Sequence, residues 1–307
     1  RSGLRRSAAA LVVAGAVVVA NAAPASASSG LNRADFLGDN AADLAIFRPS
    51  TGQWWLRSLQ SGATSVTTWG TSGDQPVPED YDGDGFADVA IYRPTTAQWW
   101  IRSSQTGAIT LATLGQSGDT LVPADYTGDG KADIAVFRGS TGQWWIRDSA
   151  NGSVSVRNFG TAGDFAEPGD YDGDGITDLA IQRNQQNWWL SSFNGDVSVV
   201  NFGLPTDINV SGDFDGDGIT DWAKLRVSGS TRIWYLLQST NGFAVRFFGT
   251  ATDVPVPADY DNDGRTDIAV YRPSTGQWWG VRSSNSTTFV TGFGTSTDVA
   301  ALSTYAT

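Results

Sequence analysis

Asp80-Tyr81-Asp82-Gly83-Asp84-Gly85-Phe86-Ala87-Asp88, running on into Val89-Ala90-Ile91-Tyr92-Arg93, decides the fold because it recurs. Versions of it begin at Asp35, Asp125, Asp170, Asp213 and Asp259, at spacings of 45, 45, 45, 43 and 46 residues. Working outward, each copy follows the same order. The alternating run that ends in Arg93 gives way to a polar turn, Pro94-Thr95-Thr96-Ala97, and then to Gln98-Trp99-Trp100-Ile101-Arg102. A second turn holds Gly107. Ala108 to Leu114 and Gly115 come next, and Gly118-Asp119 and Val122-Pro123-Ala124 lead into the following acidic stretch. Short runs of period two, rich in β-branched and aromatic residues and separated by turn residues, read as β-strands, about four to a unit.

Four strands in about 40 to 45 residues make a propeller blade. One such sheet cannot cover either of its faces, so neighbouring sheets must stack, and radial closure removes the open ends of the stack. The expected fold is therefore all-β, a propeller of six four-stranded blades within a single domain over residues 28–307, with acidic loops starting at residues 35, 80, 125, 170, 213 and 259. A linear solenoid would need polar capping repeats, and none is evident. Asp298-Val299-Ala300-Ala301-Leu302-Ser303-Thr304-Tyr305 is in register with Asp253 to Tyr260. This leftover strand is expected to complete a blade with N-terminal residues and lock the ring; an incomplete seven-bladed propeller is the alternative.

Residues 1–27 read as a cleaved signal peptide. Arg1, Arg5 and Arg6 precede an apolar run from Ala8 to Ala20, and Ala25-Ser26-Ala27 has the small-x-small form of a cleavage site. The run is short for a membrane span, and no later stretch approaches the roughly 20 apolar residues required. A secreted protein with no membrane insertion after signal cleavage is expected. Composition narrows the chemistry further. With no Cys there is no disulfide framework and no thiolate site, and with no His there is neither a Ser-His-Asp triad nor an imidazole ligand. An excess of 32 acidic over 20 basic residues argues against nucleic acid as partner.

The loops hold 22 of the 32 acidic residues. In the pattern Asp-x-Asp-x-Asp-Gly-x-x-Asp, carboxylates at positions 1, 3, 5 and 9 and the carbonyl of position 7 converge on one point, and Gly at position 6 permits the sharp turn. Hard oxygen donors in a flexible loop suit Ca²⁺, whereas zinc and copper want the nitrogen or sulfur this chain lacks. No Glu stands at position 12, so the loop is not an EF-hand. The expected metal ligands are Asp80, Asp82, Asp84, Phe86 and Asp88 in the second loop; Asp125, Thr127, Asp129, Lys131 and Asp133 in the third; and Asp170, Asp172, Asp174, Ile176 and Asp178 in the fourth. Asp213, Asp215, Asp217, Ile219 and Asp221 follow in the fifth, and Asp259, Asp261, Asp263, Arg265 and Asp267 in the sixth. The first loop keeps Asp35, Asp39 and Asp43 but has Leu37 at position 3 and Asn40 at position 6, so a weak or empty site is expected there. The sum is about five calcium ions per chain, serving mainly to stabilise the fold.

These loops, together with Phe-Gly at Phe159-Gly160, Phe202-Gly203, Phe248-Gly249 and Phe293-Gly294, resemble the FG-GAP or VCBS repeats, the calcium-binding propeller repeats also found in integrin α-subunits and some fungal lectins. Bacterial exported proteins carrying repeats like Val254 to Trp279 look especially close. The resemblance implies extracellular recognition or adhesion, sometimes of carbohydrate.

Trp recurs in adjacent pairs: Trp54-Trp55, Trp99-Trp100, Trp144-Trp145, Trp188-Trp189 and Trp278-Trp279, with Trp234-Tyr235 in the fifth repeat. Adjacent strand residues point to opposite faces, so each pair is expected to pack one ring toward each neighbouring blade. Trp54, Trp99, Trp144, Trp188, Trp234 and Trp278 are also the candidates for stacking on a sugar. Arg48, Arg93, Arg138, Arg183, Arg226 and Arg272 each follow the last loop Asp by five residues, and Asp74, Asp119, Asp164, Asp207 and Asp253 are their candidate partners. The expected function is an extracellular binding or adhesion module for carbohydrate or a protein ligand, not an enzyme. The alternatives are a polysaccharide-active enzyme using two carboxylates and a purely structural surface protein.

Overall fold

The computed structural model describes residues 34–301. The expected signal peptide over residues 1–27, the expected start near residue 28 and the final residues 302–307 lie outside the described residues. Within them the protein is all-β without a helix: six four-stranded antiparallel sheets stand in a ring as a six-bladed β-propeller. No described helix is long and apolar enough to cross a membrane.

Blade two shows why the repeat folds this way. Its strands Gln75–Pro76, Val89–Arg93, Gln98–Arg102 and Ile109–Thr113 are hydrogen-bonded in that order. The register pairs Tyr92 with Trp99 and Ile91 with Trp100, which turns the two indoles to opposite faces. Trp99 packs with Ile134 and Val136 of blade three, while Trp100 lies against Ala45, Phe47 and Trp54 of blade one. Each blade thus sends one ring forward and one back, and the hydrophobic core occupies the seams between blades. The fourth strand of a blade is its exposed rim, as in Val154–Asn158, every residue of which is exposed.

Ring closure follows the same pattern. Val299–Ala300 pairs with Leu44–Arg48, matching Val299 to Phe47 and Ala300 to Ile46. The C-terminal strand therefore completes the first blade, and no seventh blade is started among the described residues. The seam it seals buries Leu44, Ile46 and Ala300 against Val256, Tyr271 and Trp278 of blade six.

Blade four departs from the repeat. Its polar turn is two residues, Asn184-Gln185, in place of four, so that Arg183 pairs with Gln186, where Arg93 pairs with Gln98 in blade two. The shift places Asn187 where the other blades have their first Trp, and moves Trp188 to the second position, opposite Ile181. Asn187 Nδ2 donates to Phe202 O at 2.8 Å. This replaces the indole hydrogen bond seen in Trp99 Nε1 to Leu114 O and Trp144 Nε1 to Phe159 O. The carbonyl that receives it precedes the Gly of Phe-Gly. The polar turn comes up against this Phe-Gly stretch and needs its own glycine to do so: a Cβ on Gly142 would fall 2.2 Å from the carbonyl carbon of Gly160.

Candidate metal centres and the polar seam

The second to sixth acidic loops each join a two-residue leading strand to the next strand of the blade, and a bridge such as Glu79 to Asp88 closes the base. The position 1 carboxylate organises the turn from within. Asp80 Oδ1 accepts the N–H of Gly83 at 2.6 Å and Oδ2 that of Gly85 at 2.8 Å. Asp170 and Asp213 repeat both bonds. Position 9 ties the loop to the turn beyond the Trp strand: Asp88 accepts N–H groups from Tyr81 at 2.9 Å and Ser104 at 2.7 Å. Asp178, Asp221 and Asp267 do the same with Ser192, Ser239 and Ser283.

The carboxylates converge at four loops. Asp80, Asp82 and Asp88; Asp170, Asp172 and Asp178; Asp213, Asp215 and Asp221; and Asp259, Asp261 and Asp263 each place ligand oxygens within 4.8 Å of one another. Among the described residues no such triplet forms at the third loop, where Thr127 takes position 3, or at the first, where Leu37 does. Of the five loops expected to hold an ion, the second, fourth, fifth and sixth bring three carboxylates together. Asp84, Asp129, Asp174 and Asp217 at position 5 lie outside these triplets; each accepts the N–H two residues on, as Asp84 does from Phe86.

The donor set fits a hard divalent cation. It is all oxygen, and Asp215 Oδ1 and Asp261 Oδ1 are buried without a hydrogen-bond partner. An oxygen that accepts one N–H keeps a second lone pair. Burial pushes the carboxyls of Asp88, Asp221 and Asp267 up to about 7 and that of Asp178 to about 6, and backbone N–H donors offset only part of this. Asp80, Asp170, Asp213 and Asp259 are also raised, again chiefly by burial. Crowded carboxylates that ionise reluctantly are what a bound divalent cation relieves.

Sequence reading missed one set of residues at these sites. The hydroxyls that follow the Trp strand clamp the loops from above: Ser104 Oγ donates to Asp84 at 2.7 Å, Ser149 Oγ to Asp129 at 2.7 Å and Ser192 Oγ to Asp174 at 2.8 Å. Ser239 and Thr240 both donate to Asp217; burial works against its ionisation, but these bonds outweigh it and hold the carboxyl below its ordinary range. The signal was a Ser recurring at one place after the Trp strand in blades two to six: Ser104, Ser149, Ser192, Ser239 and Ser283.

At the far end of the strand that leaves the loop, every expected Arg meets a carboxylate. Arg93 pairs with Asp74 at 2.8 Å, Arg138 with Asp119 at 3.0 Å, Arg183 with Asp164 at 2.6 Å, Arg226 with Asp207 at 2.7 Å and Arg272 with Asp253 at 2.8 Å. Arg48 takes Asp298 at 2.8 Å. Each guanidinium also lies over the second aromatic ring of its blade, from 4.5 Å at Tyr235 to 5.9 Å at Trp188.

The sugar-stacking candidates need correction. Trp54, Trp99, Trp144, Trp234 and Trp278 are 0% exposed, because each fills the seam toward the next blade. Trp188 is half-buried and occupies the second-ring position under Arg183. The rings that do face solvent are Phe165 at 61%, Phe193 at 79%, Phe243 at 62% and Phe247 at 70% exposure, all on blades four and five.

One seam is polar. Glu167 stands where blades two and three have Val77 and Val122, and Lys224 where they have Ile91 and Val136. The two meet across blades four and five: Lys224 Nζ donates to Glu167 Oε2 at 2.7 Å and to Asn209 Oδ1 at 2.5 Å, and Ser211 Oγ donates to Glu167 Oε1 at 2.7 Å. Burial shifts both groups toward their neutral forms, Glu167 upward and Lys224 downward, while their mutual attraction opposes this.

Ring, loops and seams together define a repeat-built propeller whose fold suits a binding module. Residues 80–136 and 125–181 match the pattern described as the FG-GAP-like repeat. No curated protein matches the sequence. Among solved structures, TolB from Acinetobacter baumannii is similar at 15% identity and a TM-score of 0.58, over 82% of this chain and 64% of that one. The chain thus spans less than two thirds of TolB's length. A lectin from Agrocybe aegerita that recognises non-reducing terminal N-acetylglucosamine is similar at 14% identity and a TM-score of 0.52, over 85% of this chain and 80% of that one. At such identities the likeness is one of fold.

Proposed function

We propose that this protein is a secreted, calcium-stabilised propeller that acts as an extracellular binding module without catalysing a reaction, and that its ligand is a carbohydrate. The observation that carries the calcium reading is the convergence of three carboxylates at each of four loops, two of them with a buried, unpartnered oxygen. Asp80, Asp82 and Asp88, with their counterparts in the fourth and fifth loops, and Asp259, Asp261 and Asp263 in the sixth would hold the ions. Calcium would supply charge neutralisation and crosslinking of the loop to the turn beyond the Trp strand. Export is supported by the basic and apolar residues 1–27.

The non-enzymatic reading is supported by the state of the carboxylates. Most belong to the loops or to Arg pairs, and Glu167 is bound into the buried pair with Lys224. The carbohydrate reading rests on the Agrocybe aegerita lectin, whose fold this chain shares, and on exposed aromatic rings at Phe193, Phe243 and Phe247 that can stack on a sugar face. A glycan array probed with the calcium-loaded protein tests it. Binding that Phe243→Ala or Phe247→Ala abolishes supports the reading. An array without hits, together with capture of a defined surface protein, would replace carbohydrate by a protein ligand.

A further inference from the structure

The six acidic loops are hydrogen-bonded to one another in a closed circle. The N–H at position 8 of each loop donates to the main-chain carbonyl at position 1 of the preceding loop: Ala87 to Asp35 at 2.7 Å, Ala132 to Asp80 at 2.7 Å, Thr177 to Asp125 at 2.8 Å, Thr220 to Asp170 at 2.6 Å and Thr266 to Asp213 at 2.6 Å. Ala42 to Asp259 at 2.7 Å closes the circle across the chain ends. A second layer of contact lies over this belt. The side chain at position 7 covers the glycine at position 4 of the preceding loop, so closely that a Cβ on Gly128 would come within 2.8 Å of Ile176, one on Gly173 within 3.0 Å of Ile219, and one on Gly216 within 2.9 Å of Arg265. The junction between the sixth and first loops lacks this layer, having Asn262 and Ala41 at those positions.

We infer that the calcium sites load as a coupled ring, not as independent loops. The inference rests on the calcium reading above. The position 1 Asp has two jobs joined by one residue: its carboxylate belongs to the ligand triplet and gathers its own loop's N–H groups, while its carbonyl anchors the next loop. An ion that fixes Asp170 therefore fixes the acceptor for Thr220, which stands one residue before the ligand Asp221. Part of the ordering cost of the fifth loop is then already met when the fourth is filled, which is positive coupling through conformational entropy. The coupling runs both ways by linkage. The first and third loops, which lack a carboxylate triplet, remain in the belt and carry the coupling past themselves.

The test is calcium titration of the full chain by calorimetry, with bound ions counted by native mass spectrometry. Asp215→Asn replaces one carboxylate ligand by a neutral amide in the fifth loop alone. Coupled loading predicts that the remaining sites weaken by about five-fold or more. Ile219→Ser keeps every candidate ligand oxygen but removes the cover over Gly173, and is expected to reduce the steepness of loading while leaving the ion count unchanged. Wild-type protein gives a reading that needs no variant: at half-saturation, coupling depletes partly loaded species relative to a binomial distribution. A binomial distribution, with Asp215→Asn losing one ion and leaving the other sites unchanged, overturns the coupling but leaves the calcium reading intact. A wild-type chain that binds no calcium overturns both.

Discussion

Arg48 and Asp298, 250 residues apart in the chain, form a bidentate ion pair with Nε to Oδ1 at 2.8 Å and Nη2 to Oδ2 at 2.9 Å. Five other blades make the same pair between residues 19 apart. The repeat's ordinary local contact has thus become, at the junction, the contact that joins the two ends of the described chain.

Asp298→Asn is expected to lower stability by about 1–2 kcal/mol, the range for a charge-assisted hydrogen bond to a partly exposed Arg. Urea denaturation at pH 7 measures it. An unchanged midpoint would show that the two-residue strand Val299–Ala300 closes the ring without help.

The same pairs set an acid limit. Burial raises the pKa of Asp74, Asp164, Asp253 and Asp298, but the partner Arg and backbone N–H bonds outweigh it and leave all four below their ordinary value. A folded-state pKa below the unfolded one gives stability that is complete above the unfolded value of about 3.9 and is lost as pH falls through the depressed value. Calcium-free protein is therefore expected to lose this contribution only below about pH 4, with a smaller acid loss in Asp298→Asn. Thermal unfolding between pH 2 and pH 6 distinguishes the two.

Chelation should destabilise the whole ring. At millimolar calcium and a dissociation constant near 0.1 mM, each site adds about 1.4 kcal/mol, and four add roughly 5–6 kcal/mol. Calorimetry with excess chelator is expected to show a fall of roughly 10–20 °C in Tm. Asp82→Asn should cost one bound ion and Asp39→Asn none. Equal melting with and without calcium would remove the metal from the account of this fold.

The polar seam answers differently to single and double changes. Lys224→Met leaves Glu167 buried without its cation and is expected to cost about 3–5 kcal/mol. Glu167→Val with Lys224→Val restores the apolar contact that Val77 makes with Val136, and Val122 with Ile181, across other seams, and should be neutral or more stable by about 1–4 kcal/mol. A double variant as unstable as the single one would mean that the seam has adapted its shape, not only its charge, to the ion pair.

Sequence alone made legible the six repeats, four strands to a blade, the closing strand and five of the six Asp partners of the arginines; the choice of six blades over seven and the pairing of Arg48 with Asp298 came from the structure. The legible features follow from period, and a period is visible along the chain. Asp43, Asp88 and their counterparts were legible as acidic loop residues for the same reason. Tertiary structure decided what depends on neighbours distant in sequence. It placed the first Trp of each pair at the centre of a seam, so that Trp54, Trp99, Trp144, Trp234 and Trp278 pack and are closed to ligand. It let a shortened turn in blade four slide Trp188 by one position, which in a strand reverses the face of a side chain. It made Glu167 and Lys224, 57 residues apart, answer one another across a seam. It also drew the loops into a closed belt, since hydrogen bonds between main-chain groups carry no mark in the side-chain sequence and exist only once six similar units are set around one axis.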